Sequence, residues 1–184
     1  LDEEILGEIR LVQADFAFHT AFNPKGRLFA PELGGGALLD AGIYPVSLAS
    51  FIYGKQPEHL TSIAHKGETG VDDRTSMQFA YEGGGMAQLF CATQLNTLNE
   101  AVIAGDKGII RLHARWLSGS ALTITHPGQE AQFISAPIAN NNGYSYEAAE
   151  VGRCLRAGLL ESQVMPLAET IAIMQTMDRI QQQW

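Results

Sequence analysis

The feature that most constrains the fold is a series of short segments after Pro57 in which apolar and polar residues alternate. Alternation with a period of two is typical of strands that bury one face. Short turns rich in Gly, Asp and Asn separate the segments, as they do between neighbouring antiparallel strands. The pattern therefore predicts an antiparallel meander. In chain order its segments are HLTSIAHKG, RTSMQFAYE, MAQLFCATQL, NEAVIAGD, GIIRLHA and the hairpin ALTITHPGQEAQFIS.

A strand and a helix precede this meander. Residues 8–20 (EIRLVQADFAFHT) alternate in the same way and predict a strand. Residues 37–53 predict a helix that is apolar almost all round, and such helices are usually buried. Pro45 must either kink this helix or mark its boundary, because proline lacks the N–H that a helix interior needs.

Two helices follow the meander, at residues 144–157 and 167–184. Gly158 closes the first, since glycine is favoured just after a helix end. Pro166 stands immediately before the second, where proline is well tolerated. One helix, several strands and two further helices predict an α+β fold, with an open, mainly antiparallel or mixed sheet that carries helices on one face.

The other face of such a sheet needs a cover. We assign to it strand residues that include Met77, Phe79, Leu89, Cys91 and Ile103. If this face is exposed and apolar, it predicts an association surface and hence a homodimer. A second layer that the pattern does not reveal is the alternative.

Charge and composition restrict the classes of partner that this chain is expected to bind. The net charge is −8 and the Lys and Arg residues are scattered, so a nucleic-acid partner is disfavoured. We expect no membrane partner, because we find no apolar run that approaches the length of a span. Cys91 and Cys154 lie far apart and outside any CxxC, which favours reduced thiols in a cytoplasmic protein. The five histidines lack ligand-like spacing, so we predict no metal site.

The segment GGGALLDAGIYP, residues 34–45, carries the candidate chemistry. Gly34 and Gly36 fit the first two positions of a dinucleotide-binding GxGxxG motif. Leu39 occupies the third position and is too large for close helix–strand packing. The preceding residues contain a proline and do not resemble a buried strand, so a phosphate cradle is disfavoured.

Asp40 and Tyr44 are four residues apart and would share one face of a helix, with Gly36 one turn earlier. Two interpretations stay open. In one, Asp40 caps a neighbouring backbone segment and Tyr44 is a packing residue. In the other, the carboxylate and the phenol relay a proton to or from a substrate oxygen, with Gly36 allowing close approach. The second needs a nearby cation to lower the pKa of the tyrosine, and the chain offers no obvious lysine.

GGGALLDAGIYPV strongly resembles a signature of the Gfo/Idh/MocA oxidoreductases. Further resemblances follow in the family's order along essentially the whole chain. They are LGEIRLVQADFAF, ETGVDDRTSMQFAYEGG, AVIAGDKGIIRL and the segment from GYSYEAAEV to the last helix. The pairing of GALLDAGIY with ETGVDD is most similar to the dihydrodiol dehydrogenase branch.

The resemblance implies a two-domain enzyme that uses NAD or NADP. Residues 1–184 would be its single C-terminal domain for substrate binding and oligomerisation. The Rossmann domain, which would hold most cofactor-binding residues, is missing from this chain. The full protein would transfer hydride between the nicotinamide and a sugar, polyol or cyclic diol, whereas this chain alone would bind no cofactor and be inactive.

The resemblance also implies roles for individual residues. Tyr44 would be the proton donor and acceptor, and Asp40 would orient the substrate or tune Tyr44. Phe18 would line an aromatic wall of the substrate pocket, and Tyr144 and Gly36 would contribute to the same pocket. Many family members carry His at the position of Tyr44, so the acid–base role depends on the branch.

A non-enzymatic alternative remains beside this one. The chain would then be a self-associating or ligand-binding module with a vestigial site, since a fold does not by itself imply a function. A strand–GxGxxG–helix unit encoded upstream of Leu1 would favour the enzyme, and a start codon close to Leu1 would favour the module.

Overall fold

A mixed sheet is the frame of the computed structural model, which describes residues 3–119, 121–138 and 143–184. Eight strands lie in the order β2-β3-β4-β1-β5-β6-β7-β8. The strands are β1 Ile9–Ala17, β2 His59–Lys66, β3 Asp72–Ala80, β4 Met86–Ala92, β5 Ala101–Gly105, β6 Ile109–Leu112, β7 Ala121–Thr125 and β8 Gln132–Ser135. Each strand overlaps a segment that the alternation predicted.

The first strand of the chain lies in the middle of the sheet. β1 runs parallel to β4 and antiparallel to β5, whereas the other neighbouring pairs are antiparallel. β1 thus joins one meander, β2 to β4, to a second, β5 to β8. The predicted open, mixed α+β sheet is confirmed.

The helices are α1 Glu3–Leu6, α2 Ile43–Tyr53, α3 Tyr144–Arg156 and α4 Leu167–Gln181. A wide π-helical turn, Leu38–Gly42, leads directly into α2. Pro45 lies in the first regular turn after it, so it marks a boundary between two helix types. Short 3₁₀ turns occur at Pro31–Leu33 and Trp116–Ser118.

The ends of the last two helices follow the predicted signals. Gly158 has a φ of 67° just beyond the end of α3, the left-handed conformation that favours glycine after a helix. Pro166 immediately precedes α4, as predicted. α4 ends at Gln181, three residues before the predicted end.

Helices α2 and α4 cover one face of the sheet. Val46 and Ala49 of α2, and Ile173, Met177 and Ile180 of α4, are buried in one hydrophobic core with the strands. Burial of a large aliphatic side chain stabilises a fold by about 1.5–3 kcal/mol, so the side chains packed on this face contribute substantially to the stability of the domain.

The assignment of strand residues to the uncovered face is wrong. Met77, Phe79, Leu89, Cys91 and Ile103 are at most 3% exposed and belong to the core beneath the helices. Alternation shows which strand residues share a face, but it does not show which face the helices cover. The open face carries the intervening positions, Ser76, Gln78, Gln88, Phe90 and Val102.

The apolar helical segment Pro31–Tyr53 is long and apolar enough to cross a membrane, with a mean hydropathy of 1.3, but half of it is buried inside the domain. Core helices of globular domains commonly meet the same criteria. Contrary to the prediction of burial all round, α2 is buried on one side only. Phe51 is 67% exposed and Tyr44 is 43% exposed, whereas Val46 and Ala49 face the sheet.

A buried carboxylate joins the helical segment to the sheet. Asp72, at the start of β3, accepts hydrogen bonds at Oδ2 from the Leu38 N–H (2.7 Å) and the Thr75 hydroxyl (2.8 Å). Gly36 has a φ of 126°, and a Cβ at this position would lie 2.3 Å from Oδ1 of Asp72. The close approach of Gly36 therefore serves a protein carboxylate.

We predict that Gly36→Ala destabilises the domain by roughly 3 kcal/mol, because it combines backbone strain with a clash against a buried carboxylate. Gly34→Ala is the matched control: its φ is 69°, but no atom lies within 4 Å of the new Cβ. The control should cost roughly 1 kcal/mol, the strain alone. Urea unfolding measures both, and equal losses would contradict the role assigned to Asp72.

Candidate active site

Tyr44 is the second residue of α2, and packing between this helix and β1 fixes its position. Its ring meets Phe16 edge to face, with ring centroids 5.1 Å apart and an interplanar angle of 78°. Among the described residues no hydrogen bond engages the Tyr44 hydroxyl. A half-exposed phenol on a rigid helix is therefore free to contact a ligand.

Tyr44 lines a cavity of about 510 Å³, which we call the Tyr44 cavity. Tyr144, the first residue of α3, lines the same cavity. The structure thus brings together these two candidate residues from distant parts of the chain, and the volume suits a small molecule. The lining residues are Phe16, Tyr44, Leu117, Ser118, Gly143, Tyr144 and Glu147.

A second cavity, of about 520 Å³, adjoins the first, and we call it the Arg115 cavity. Phe16, Leu117 and Ser118 line both cavities. Phe18, the predicted aromatic wall, lines this second cavity and not the first. Its lining residues are Phe16, Ala17, Phe18, Asn96, Asn99, Arg115, Trp116, Leu117 and Ser118.

Asp40 and Gly36 line neither cavity. Asp40 forms an ion pair with Arg27, and its side chain is 18% exposed. Within the described ranges no hydrogen bond or ion pair joins Asp40 to Tyr44. The wide turn Leu38–Gly42 contains Asp40 and changes the spacing on which an i, i+4 pairing in a regular helix depends. Gly36 is buried against Asp72.

Arg27 is a charged partner that sequence reasoning missed. The sequence hypothesis required a cation beside Tyr44 and considered only lysine, whereas Arg27 lies in an irregular loop without any periodicity and pairs with Asp40. It also lies 13 residues from Asp40, too far for a local helical pairing rule to apply. The Pro- and Gly-punctuated loop itself was the available signal, since functional side chains often lie on loops held by a scaffold.

The Arg115 cavity is built on a polar network that the sequence also did not reveal. Asp15 Oδ2 accepts hydrogen bonds from the Asn99 N–H (2.9 Å) and from the Thr97 hydroxyl. The Asn99 side chain accepts from the Ala17 N–H at 2.7 Å and donates to the Ala17 carbonyl at 3.0 Å. The Trp116 indole N–H donates to the Asp15 carbonyl at 2.8 Å. These bonds hold two loops against the end of β1.

The glycine-rich segment does not fit the phosphates of a dinucleotide. The Leu38 N–H, a donor at the helix start, is already bonded to the Asp72 carboxylate. The space beside Gly36 is filled by the same acidic group, which would repel a phosphate. Within the described part of the chain, no cluster of three or more His, Cys, Asp or Glu is arranged to hold a metal ion.

The chain belongs to the family described as the GFO/IDH/MocA C-terminal domain, whose model matches residues 1–111. The resemblance inferred from the GGGALLDAGIYPV motif is thereby confirmed.

Curated relatives are trans-1,2-dihydrobenzene-1,2-diol dehydrogenases. The Xenopus tropicalis protein is 34% identical over 190 aligned positions, which cover 100% of this chain and 56% of the relative. The Sus scrofa protein is 35% identical over 176 positions, which cover 92% of this chain and 52% of the relative. The chain therefore spans about half the length of the curated relatives that it matches.

Solved structures share the fold. An aldose-aldose oxidoreductase from Caulobacter crescentus superposes with a TM-score of 0.84 at 23% identity, covering 98% of this chain and 55% of that one. A 3-ketoreductase from Actinomadura kijaniata, solved with NADP and TDP-benzene, gives a TM-score of 0.81 at 21% identity, with coverages of 98% and 55%. Both similarities concern the fold.

The buried carboxylate of Asp72 makes the stability of the domain depend on pH. Burial raises the pKa of Asp72 above its ordinary value of 3.8, and hydrogen bonds from Thr75 and Leu38 offset part of the rise. Between 3.8 and the raised pKa, the folded state binds more protons than the unfolded state. The free energy of unfolding therefore falls as pH rises through this window, by at most about 1.4 kcal/mol per pH unit.

We predict that Asp72→Asn removes this fall, because the amide keeps an oxygen acceptor for the Leu38 N–H but carries no charge. Urea unfolding at a series of pH values from 3.5 upward measures the difference between the variant and the wild type. The same pH slope in both proteins would contradict the assignment of the shift to Asp72.

Proposed function

We propose that this chain is the substrate-facing domain of an NAD(P)-dependent oxidoreductase. The full protein would transfer hydride between the nicotinamide and a CH–OH group of a sugar, polyol or cyclic diol. Membership of the family and similarity to diol dehydrogenases support the reaction class. One observation carries the site: the Tyr44 phenol lies in the Tyr44 cavity, its hydroxyl without a hydrogen-bond partner among the described residues.

Oxidation of a secondary alcohol removes a hydride from carbon and a proton from oxygen. A bound nicotinamide would supply the hydride acceptor. In the reducing direction, the Tyr44 phenol donates its proton to the substrate oxygen as negative charge develops there. In the oxidising direction, the Tyr44 phenolate would accept the hydroxyl proton, and the cation that this step needs would come from the part of the full protein outside this chain. Phe16 holds the ring of Tyr44 in place for both steps.

Asp40 acts in this proposal as a positioning residue. Its ion pair with Arg27 ties the loop before the glycines to the wide turn that precedes Tyr44. Tyr144 and Phe18 supply aromatic surface beside the substrate ring. Gly36 acts indirectly, because it makes room for the carboxylate that fixes the turn.

The cofactor, NAD or NADP, would be held mainly by residues outside this chain. The misfit of the glycine-rich segment to phosphates supports this, as does the NADP bound by the Actinomadura kijaniata protein of the same fold. The chain alone is then expected to bind no cofactor and to be inactive. We propose a cytoplasmic location, on the ground that both cysteines are free thiols.

We predict that Tyr44→Phe in the full-length protein lowers kcat for NAD(P)-linked oxidation of a panel of sugars, inositols and cyclic diols. Loss of a general acid–base group costs roughly 100- to 10,000-fold. Cofactor affinity should be unchanged, since the phenol does not hold the cofactor. Tyr146→Phe is the control, because Tyr146 is exposed on α3 and lines neither cavity.

Undiminished turnover in Tyr44→Phe would move the proton relay to another residue. Neither turnover nor cofactor binding in the wild-type protein would favour the alternative, a self-associating or ligand-binding module with a vestigial site.

We further propose that the open sheet face forms a homodimer. Eight strands spaced about 4.8 Å apart make a face roughly 34 Å wide, large enough for a standard interface. Its surface is mixed: Ile63 is 79% exposed and Phe133 is 65% exposed, and glutamines occupy the centre. Arg111 and Glu100 neutralise each other there through a bidentate pair, which suits contact between two like-charged copies.

We predict that Gln88→Arg, at the centre of this face, converts the dimer to a monomer, because two copies of the new charge would be buried close together. Gln129→Arg, in the exposed turn between β7 and β8, adds the same charge elsewhere and should leave the dimer intact. Sedimentation equilibrium measures both variants. A wild-type protein that is monomeric at high concentration would contradict the interface.

A further inference from the structure

The Arg115 cavity has one ionisable group in its lining. The other eight lining residues that the structure describes are aromatic, aliphatic or neutral polar, and none of them carries a carboxylate. Arg115 is exposed, and its guanidinium forms no ion pair or hydrogen bond with any described residue. Five of the other seven arginines form ion pairs with acidic side chains, namely Arg10, Arg27, Arg74, Arg111 and Arg153.

The backbone at Arg115 is unusual for a residue with a side chain. Its φ is 64° and its ψ is 44°, the left-handed conformation that glycine and asparagine adopt most readily. Ser118 fixes this geometry by donating both its N–H and its hydroxyl to the Arg115 carbonyl, each at 2.8 Å. The Trp116 indole anchors the same loop to β1. Glycine would adopt this conformation with less strain, so a turn with a purely structural role would be more stable with glycine. The presence of arginine therefore indicates a role for its side chain.

A second donor stands in the same cavity. Asn96 Oδ1 accepts the His19 N–H at 2.9 Å, which leaves the amide nitrogen of Asn96 without a partner in the described ranges. A guanidinium and an amide N–H together suit an oxyanion, and Phe18 and Trp116 offer apolar faces beside it. The chain has a net charge of −8, so its overall electrostatic field does not attract anions. An anion would therefore have to be held by direct contact with Arg115.

The Arg115 cavity and the Tyr44 cavity share three lining residues, so one ligand can occupy both. We propose that Arg115 forms an anion subsite, which selects sugars or polyols that carry a carboxylate or a phosphate. Glu147 lines only the Tyr44 cavity and would repel the anionic end, so the ligand is oriented with its reacting hydroxyl toward Tyr44. The reaction of the bound ligand rests on the proposed function, whereas the binding of an anion at Arg115 does not.

The test compares glucose with glucuronate and with glucose 6-phosphate, in the full-length protein. Calorimetric titration measures binding, and NAD(P)-linked kinetics measures turnover. We expect at least one acid to bind roughly 10- to 100-fold more tightly than glucose, the range for a charge-assisted contact. Whichever of the two binds more tightly, glucuronate or glucose 6-phosphate, identifies the preferred group as a carboxylate or a phosphate.

The variants separate a binding role from a structural one. Arg115→Gly and Arg115→Asn both suit the left-handed backbone, so they should fold at least as stably as the wild type while losing the preference for the acid. Arg115→Lys retains the charge and should recover part of the preference. Arg156→Gln removes a charge from an exposed position at the end of α3 and should leave binding unchanged.

Loss of acid binding in stable Arg115→Gly and Arg115→Asn proteins, with the KM for the acid raised and kcat nearly unchanged, would support the subsite. Acid binding that depends on Arg115 without any turnover would support the subsite and refute the proposed reaction. Equal binding of acids and glucose by the wild type, or equal losses for both in the variants, would overturn the subsite.

Discussion

The hydrogen bonds made by the buried Asp72 carboxylate are the constraint on which the rest of the site depends. They join the start of β3 to the Leu38 N–H and so set where the wide turn and α2 leave the sheet. Tyr44 follows one turn later, against Phe16 of β1. Burying a carboxylate is unfavourable, and hydrogen bonds to it offset that cost only in a fixed geometry, so the helix is held at one angle.

The same carboxylate decides what the glycines can do. A glycine-rich turn before a helix often receives the phosphates of a nucleotide, because its N–H groups are unpaired. Here the Asp72 carboxylate occupies that position, so the three glycines have a structural role. The Tyr44 cavity and the Arg115 cavity are lined by other residues, at the end of β1 and in the loops beside it.

Much of the fold followed from the sequence, because alternation and turn residues are local signals. They gave the strands, the last two helices and the α+β class. The burial of Met77 and Phe79 beneath the helices could not be read in this way, since the choice of covered face depends on long-range packing. Tyr44 and Tyr144 were both named as candidates, but the ion pair of Arg27 and the left-handed Arg115 arise in irregular loops, where no period exists to reveal them.

The central place of β1 has a consequence for how the domain folds. β1 pairs with β4 and β5, whose partner residues lie 75 to 96 positions further along the chain. Closing such long loops is slow, because entropy is lost before the contacts form. Each meander can form through local turns. The two meanders can join into one sheet only when β1 has paired with both β4 and β5. We therefore expect the insertion of β1 to be a late event of folding, and it also carries Phe16 and Phe18 into place.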